Sequence, residues 1–199
     1  MNNFLKFVPF LRKITKQSMK KLVLTLVAVA VATMAVAQSK VKGEDKYAAV
    51  ELPHKVESVE IHNINGELST LPMWGEKNLL IFYVDPDKHS QNNAFTVEME
   101  EKHLAAGDNI YGLGVLNLKD TWLPNNIVSS IARKRTEKNG ATIMADKGRV
   151  LATKWGLGDC NNKFVLLLVT KDGELVFCRK GEFTEQDKKE FLEVVQQYR

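Results

Sequence analysis

The amino-acid sequence predicts a single α/β domain whose mixed central sheet is flanked by helices and preceded by a β-hairpin. Three observations carry this. Two short apolar runs, Leu79 to Val84 and Ile110 to Leu118, are separated by a segment of helical length, the pattern of a β-α-β unit. The last third carries two turn signals, Asp146-Lys147-Gly148 and Lys171-Asp172-Gly173, each between candidate strands. A helix-forming tail follows, and no repeat or low-complexity linker divides residues 47–199.

The elements follow in order. Residues 38–46 are a short polar lead-in. Val56 to Thr70 alternates around Asn65-Gly66, a dipeptide at ease with positive φ, and reads as a hairpin. Leu79 to Val84, with Asn78 beside it, is apolar throughout, as expected of a strand buried on both faces. Asp85-Pro86 breaks it, because proline cannot donate to a ladder. Asn92 to Ala106 reads as a helix stopped by Gly107. After the second strand, Pro124 and Asn125-Asn126 open another helix, Ile127 to about Lys138, ended by Asn139-Gly140. Thr142 to Ala145 and Arg149 to Trp155 are read as one hairpin, Phe164 to Val169 and Glu174 to Arg179 as the next. In the closing helix, Thr184 to Gln197, Thr184 and Asp187 stand at capping-box spacing with an acidic first turn. The expected core includes Leu80, Phe82, Leu113, Val115, Ile131, Leu166, Leu168, Phe191 and Val194.

The formal charge of +4 is unevenly placed. Residues 1–37 hold six of the 28 basic residues and no acidic one, so the remainder has 22 basic against 24 acidic residues, a net charge of −2. Nucleic-acid binding therefore has no electrostatic support. Met19-Lys20-Lys21 forms a basic n-region, and Leu22 to Ala37 an apolar run of 16 residues ending in Ala35-Val36-Ala37. This is the pattern of a signal peptide cleaved before Gln38. The run is shorter than the roughly 20 residues of a spanning helix and has no charged stop after it, so no lasting membrane anchor is expected. Met19 is the more natural start. The mature chain is expected to be periplasmic or secreted, in an oxidising compartment.

Trp74-Gly75 followed by Leu79 to Val84 resembles the opening of the thioredoxin-like domains of exported TlpA-type and peroxiredoxin-like proteins, and Phe164 to Phe191 resembles the closing β-β-α of that fold. More narrowly, the chain is similar to the YtfJ family of exported thioredoxin-like proteins. The similarity lies in Val115-Leu116-Asn117 with Asp120 and Trp122, Ile127-Val128-Ser129-Ser130, Asp146-Lys147-Gly148, Trp155-Gly156-Leu157 and Leu168 to Gly173. It spans roughly residues 50–199 and implies a thioredoxin-like fold and an exported location more than a reaction. Dithiol chemistry needs two cysteines three apart at the strand end, the first a thiolate of lowered pKa. Laid on that pattern, those positions fall close to Asp87 and Ser90. The fold's cis-proline before its fourth strand is missing too, since no proline follows Pro124. A dithiol oxidoreductase is therefore not expected.

Asp85 to Ser90 still lies where α/β sheets place ligands. Three roles suit it. Asp87 or Ser90 caps the following helix. Free N–H groups at the helix start hold an anion or a peptide carboxylate. Or Asp85, Asp87 and His89, alternating along an extended chain, ligate a metal. The third lacks further ligands, because His54, His62 and His103 are not spaced to help, so neither metal nor cofactor is expected. In the Gly-Asp-Cys-Asn-Asn loop, Asn161 and Asn162 join Asp85, Asp87, His89 and Ser90 as candidate binding residues. Cys160 is the alternative catalytic residue of a single-thiol enzyme, although neighbouring Asp159 would raise its pKa. Cys178 is expected opposite Leu166. A bridge to Cys160 would require the loop to fold back, bringing α-carbons within about 7 Å. The expectation is thus an exported, non-redox binding protein whose partner is a protein, a peptide or a small anion.

Overall fold

The structure is a computed structural model and describes residues 50–119, 121, 128, 130, 132, 133, 136, 137 and 140–199. Its strands are β1 (His54–Lys55), β2 (Glu60–His62), β3 (Leu68–Thr70), β4 (Asn78–Val84), β5 (Ile110–Asn117), β6 (Thr142–Asp146), β7 (Phe164–Val169) and β8 (Glu174–Lys180). The helices given full bounds are α1 (Asn93–Glu101), α2 (Val150–Lys154) and α3 (Glu185–Val195). All eight strands join one sheet in the order β1-β8-β7-β4-β5-β6-β2-β3. The pairs β4/β5 and β5/β6 are parallel and the others antiparallel, so the expected mixed sheet is present.

Strand β4 sits inside the sheet and is apolar on both faces because each face has its own core. Leu79, Ile81 and Tyr83 enter a cluster with Ile61, Leu71, Val115, Leu151 and Trp155. Leu80 and Val84 alternate into a second cluster with Phe95, Phe164, Leu166, Leu168, Phe177 and Phe191, beneath α1 and α3. Edge-to-face aromatic pairs run through the second cluster, Phe95 to Phe191 at 6.0 Å and Phe177 to Phe191 at 5.3 Å. Of the expected core, Leu80, Leu113, Val115, Leu166, Leu168 and Phe191 are buried. Phe82 and Val194 are only half-buried and border the second cluster, and Ile131 lies outside the described residues.

Local chemistry departs from expectation in three places. Residues 149–155 do not continue a hairpin: Val150–Lys154 is a helix. The reason is Asp146, whose Oδ1 accepts from the amides of Gly148 and Val150 and whose Oδ2 accepts from that of Leu151, so the carboxylate starts a helical turn where a hairpin turn was expected. Helix α1 ends at Glu101, well before Gly107, and His103 takes the positive φ of 51° that glycine was expected to supply. Cys178 pairs with Leu167, one residue from the expected Leu166, because a bulge at Leu168/Val169 shifts the register.

The two turn-marked hairpins at Asn65-Gly66 and Lys171-Asp172-Gly173 are present. In the first, Asn63 Oδ1 accepts from the amides of Asn65 and Glu67, with Gly66 at φ 86°. Gly173, at φ 77°, is required: a β-carbon there would lie 2.9 Å from the carbonyl oxygen of Val56. The capping box of α3 is also formed, Thr184 Oγ1 accepting from Asp187 N and Asp187 Oδ2 from Thr184 N. Of the helix expected over 127–138, Val128, Ser130, Ala132, Arg133, Thr136 and Glu137 are helical, with Val128 and Ala132 buried.

Candidate functional site at the strand ends

Strands β4, β5 and β6 run parallel and each ends in a buried polar residue: Asp85 follows β4, Asn117 closes β5 and Asp146 closes β6. Burying a carboxylate is costly unless hydrogen bonds replace its water. Asp146 is satisfied by three backbone amides and by the hydroxyl of Tyr83, which donates to Oδ2 at 3.2 Å. Asp85, with no exposed surface, is satisfied differently. Its Oδ1 accepts from Asp87 N at 3.0 Å and its Oδ2 from Asn162 N at 2.9 Å, while its own amide donates to the carbonyl of Lys163. The end of β4 and the loop before β7, 77 residues apart in sequence, are thereby joined through one side chain.

The expected cap is corrected here. Pro86–Lys88 forms a short 3-10 turn whose cap is Asp85, not Asp87 or Ser90. Helix α1 begins only at Asn93, after Asn92 at φ 64°, and no side chain caps it. Asn92 is occupied elsewhere: its Nδ2 donates to Gly181 O and its Oδ1 accepts from Phe183 N, fastening the start of α1 to the segment after β8. Gln91 Oε1 likewise accepts from Phe164 N at the start of β7. The turn consumes its amides, since Asp87 N, Lys88 N and His89 N donate to Asp85 Oδ1, Asp85 O and Pro86 O.

Of the six residues put forward from sequence, Asp85 and Asn162 are brought into direct contact, and the six are in different states. Asp85 is buried. Asp87 is half-buried and accepts from Thr121 Oγ1 at 3.3 Å. His89 and Ser90 are exposed, and His89 Nδ1 lies 3.0 Å from Pro86 O. Asn161 is half-buried and Asn162 exposed, the latter at φ 51°. Asp85, Asp87 and His89 do not converge as metal ligands, because the turn replaces the extended chain that would have aligned them. No group of three or more metal-binding side chains occurs among the described residues.

Cys160 and Cys178 are free thiols, and both are buried. Burial pushes Cys160 up to about 12, outweighing the nearby Lys180 ammonium; Asp159 raises it too but is the smallest contributor. Burial pushes Cys178 up to about 11. Neither has the lowered pKa of a nucleophilic cysteine. Asn117 and Asp146 were not singled out from sequence as members of this edge. Asn117 is 1% exposed, donates from Nδ2 to Cys160 O at 3.4 Å, and its Oδ1 has no hydrogen-bond partner among the described residues. The available signal was the one that flagged Asp85, a polar residue ending an apolar strand.

No family model matches the chain, and no curated protein does. Solved structures do. The exposed lipoprotein thioredoxin Etrx1 of Streptococcus pneumoniae is similar at TM-score 0.51 and 16% identity, over 71% of this chain and 99% of that one. A hypothetical protein from Sinorhizobium meliloti matches at TM-score 0.54 and 13% identity, over 76% and 86%. A peroxiredoxin-like protein from Aquifex aeolicus matches at TM-score 0.50 and 9% identity, over 75% and 88%. At such identities the likeness establishes the fold: the domain is a thioredoxin-like α/β domain.

Proposed function

We propose that this chain is an exported thioredoxin-fold protein of the YtfJ type that has no dithiol chemistry and binds a protein or peptide at the rim formed by residues 85–90 and 159–162. The observation that carries the reading is the occupant of the strand end. At the strand end, just before the positions close to Asp87 and Ser90 where a redox relative would keep its two thiols, the Asp85 carboxylate is taken up by the amides of Asp87 and Asn162. The chain's two thiols lie elsewhere, buried and hard to ionise. A protein or peptide is favoured over a small anion because the amides of the turn, which an anion would need, are already engaged. The exposed side chains of His89, Ser90 and Asn162 are what a partner would meet. Export rests on the basic n-region, the apolar run and the Ala35-Val36-Ala37 site.

Three measurements test this. The purified protein should not catalyse reduction of insulin disulfides, and native Cys160 should alkylate slowly at neutral pH, its rate rising with pH well past 9 as the thiolate forms. Rapid alkylation of Cys160 below pH 7 would instead establish a single-thiol enzyme. Fractionation of cells producing the full chain, with N-terminal sequencing of the product, should recover it outside the cytoplasm beginning at Gln38.

A further inference from the structure

We propose that Cys160 and Cys178 are an oxidisable pair that closes into a disulfide, fastening the loop 157–163 to β8. They are the chain's two cysteines, and although one lies in a loop and the other in a strand, both are buried in the first core cluster. A bridge requires that loop to fold back, and it is folded back. Lys180 Nζ donates to Leu157 O at 2.7 Å, and a β-carbon on Gly158 would lie 3.7 Å from the same ammonium. Cys178 stands two residues before Lys180 in β8, so its side chain leaves the same face of the sheet one step further in. Their partners across the ladder, Val165 for Lys180 and Leu167 for Cys178, belong to that core cluster too. The loop that passes over Lys180 thus carries Cys160 into the core that Cys178 helps to fill. Cys178 is also among the groups that push the Cys160 thiol up, which puts the two within electrostatic reach of each other.

The loop's other fastenings are made by its backbone. Asn117 Nδ2 donates to Cys160 O at 3.4 Å, and Asn162 N donates to Asp85 Oδ2 at 2.9 Å. The chain around Cys160 is therefore held in place without using its sulfur. The free thiols are the reduced form of the pair, and the oxidant is a disulfide in the surroundings, reached by thiol–disulfide exchange. One cysteine, as its thiolate, attacks that disulfide, forming a mixed disulfide and releasing one thiol. The second cysteine attacks the mixed disulfide, forming the Cys160–Cys178 bond and releasing the other thiol. Two cysteines are oxidised, one disulfide is reduced to two thiols, and the protons of the pair pass to those leaving groups. Burial suppresses both thiolates in the folded protein, so the bond closes during folding, before the core excludes the oxidant. Once buried it is not turned over, and reduction of insulin is still not expected. Its effect on a partner rests on the rim reading, since Asn161 and Asn162 ride on the same loop; the bond itself does not.

The test refolds the full chain, reduced and unfolded in urea, in a mixture of reduced and oxidised glutathione, beside Cys160→Ser and Cys178→Ser. Each product is then denatured, treated with an alkylating agent and weighed. The wild type should be a monomer that takes up no alkyl group and is about 2 Da lighter than the reduced chain, the two hydrogens lost to the oxidant. Proteolysis should recover Cys160 and Cys178 in one cross-linked peptide. Each single variant should keep one thiol that is alkylated or carries glutathione. The bridged chain should also unfold at higher urea than the reduced chain, because the bond restricts the unfolded state. A wild type that refolds with both cysteines alkylated, with glutathione on either, or with a bond between two chains would overturn the proposal. So would a bridged chain that is no more resistant to urea than the reduced one.

Discussion

Asp85 shows how one residue can be chemically occupied without being reactive. Its two oxygens receive amides from the following turn and from the loop before β7, so a carboxylate with no exposed surface links two chain segments. Asp85→Ala would leave the amides of Asp87 and Asn162 without acceptors, each costing about 1–3 kcal/mol. The variant should lose about 2–6 kcal/mol in urea unfolding, whereas Asp85→Asn, which keeps one carbonyl oxygen, should lose less. An Asp85→Ala protein as stable as the wild type would remove the link from the account. Ser90, exposed and capping nothing, should tolerate alanine within about 0.5 kcal/mol.

At the scale of the element, two helices begin by side-chain hydrogen bonding, one remote from solvent and one exposed to it. Helix α2 has only five residues and could not persist alone. It is held by Asp146 at its start and by Leu151 and Trp155, 0% and 1% exposed, packed in the first core. Asp146→Ala strips acceptors from three amides and from the Tyr83 hydroxyl together, so it should destabilise the protein by more than about 2 kcal/mol and raise hydrogen exchange across α2. Thr184→Ala removes one exposed cap from an eleven-residue helix and should cost only about 1 kcal/mol in thermal unfolding. A larger loss from Thr184→Ala than from Asp146→Ala would reverse that ranking. Arg179, ion-paired to Asp187 at 2.8 Å and to Glu190 and lying over the Phe177 ring at 5.6 Å, ties α3 to β8.

For the molecule as a whole, the buried thiols make stability depend on alkaline pH. The folded thiols are pushed up to about 12 and 11, against an ordinary value of 9.0. Between these limits the unfolded chain gives up protons that the folded chain keeps, so fewer protons are bound in the unfolded state and stability falls as pH rises. The contribution is complete below pH 9 and is lost progressively above it. Unfolding free energy measured from pH 8 to pH 11 should fall more steeply in the wild type than in Cys160→Ala/Cys178→Ala. Identical slopes would mean that these thiols ionise freely in the folded protein.

Fold class could be read in advance because it rests on short-range rules: the unbroken apolar run of Leu79 to Val84, proline ending a strand at Pro86, and positive-φ turns at Gly66 and Gly173. The capping box at Thr184 and Asp187 belongs with them, since both partners lie within one helical turn. One link at the strand-end edge joins two residues named from sequence, Asp85 and Asn162. Their roles were not legible. Whether Asp85 or Asp87 caps the turn depends on Asn162, far along the chain, arriving to take the second oxygen. Whether Asp146-Lys147-Gly148 starts a hairpin or a helix depends on Tyr83 and the first core, which reward burying Leu151 and Trp155. The bulge that moves Cys178 from Leu166 to Leu167 is a property of the β7/β8 ladder, invisible in either strand alone. Local sequence determines what a segment can become; only contacts between segments distant in sequence select among the options, because the burial and hydrogen bonds that decide between them do not exist until the chain has closed.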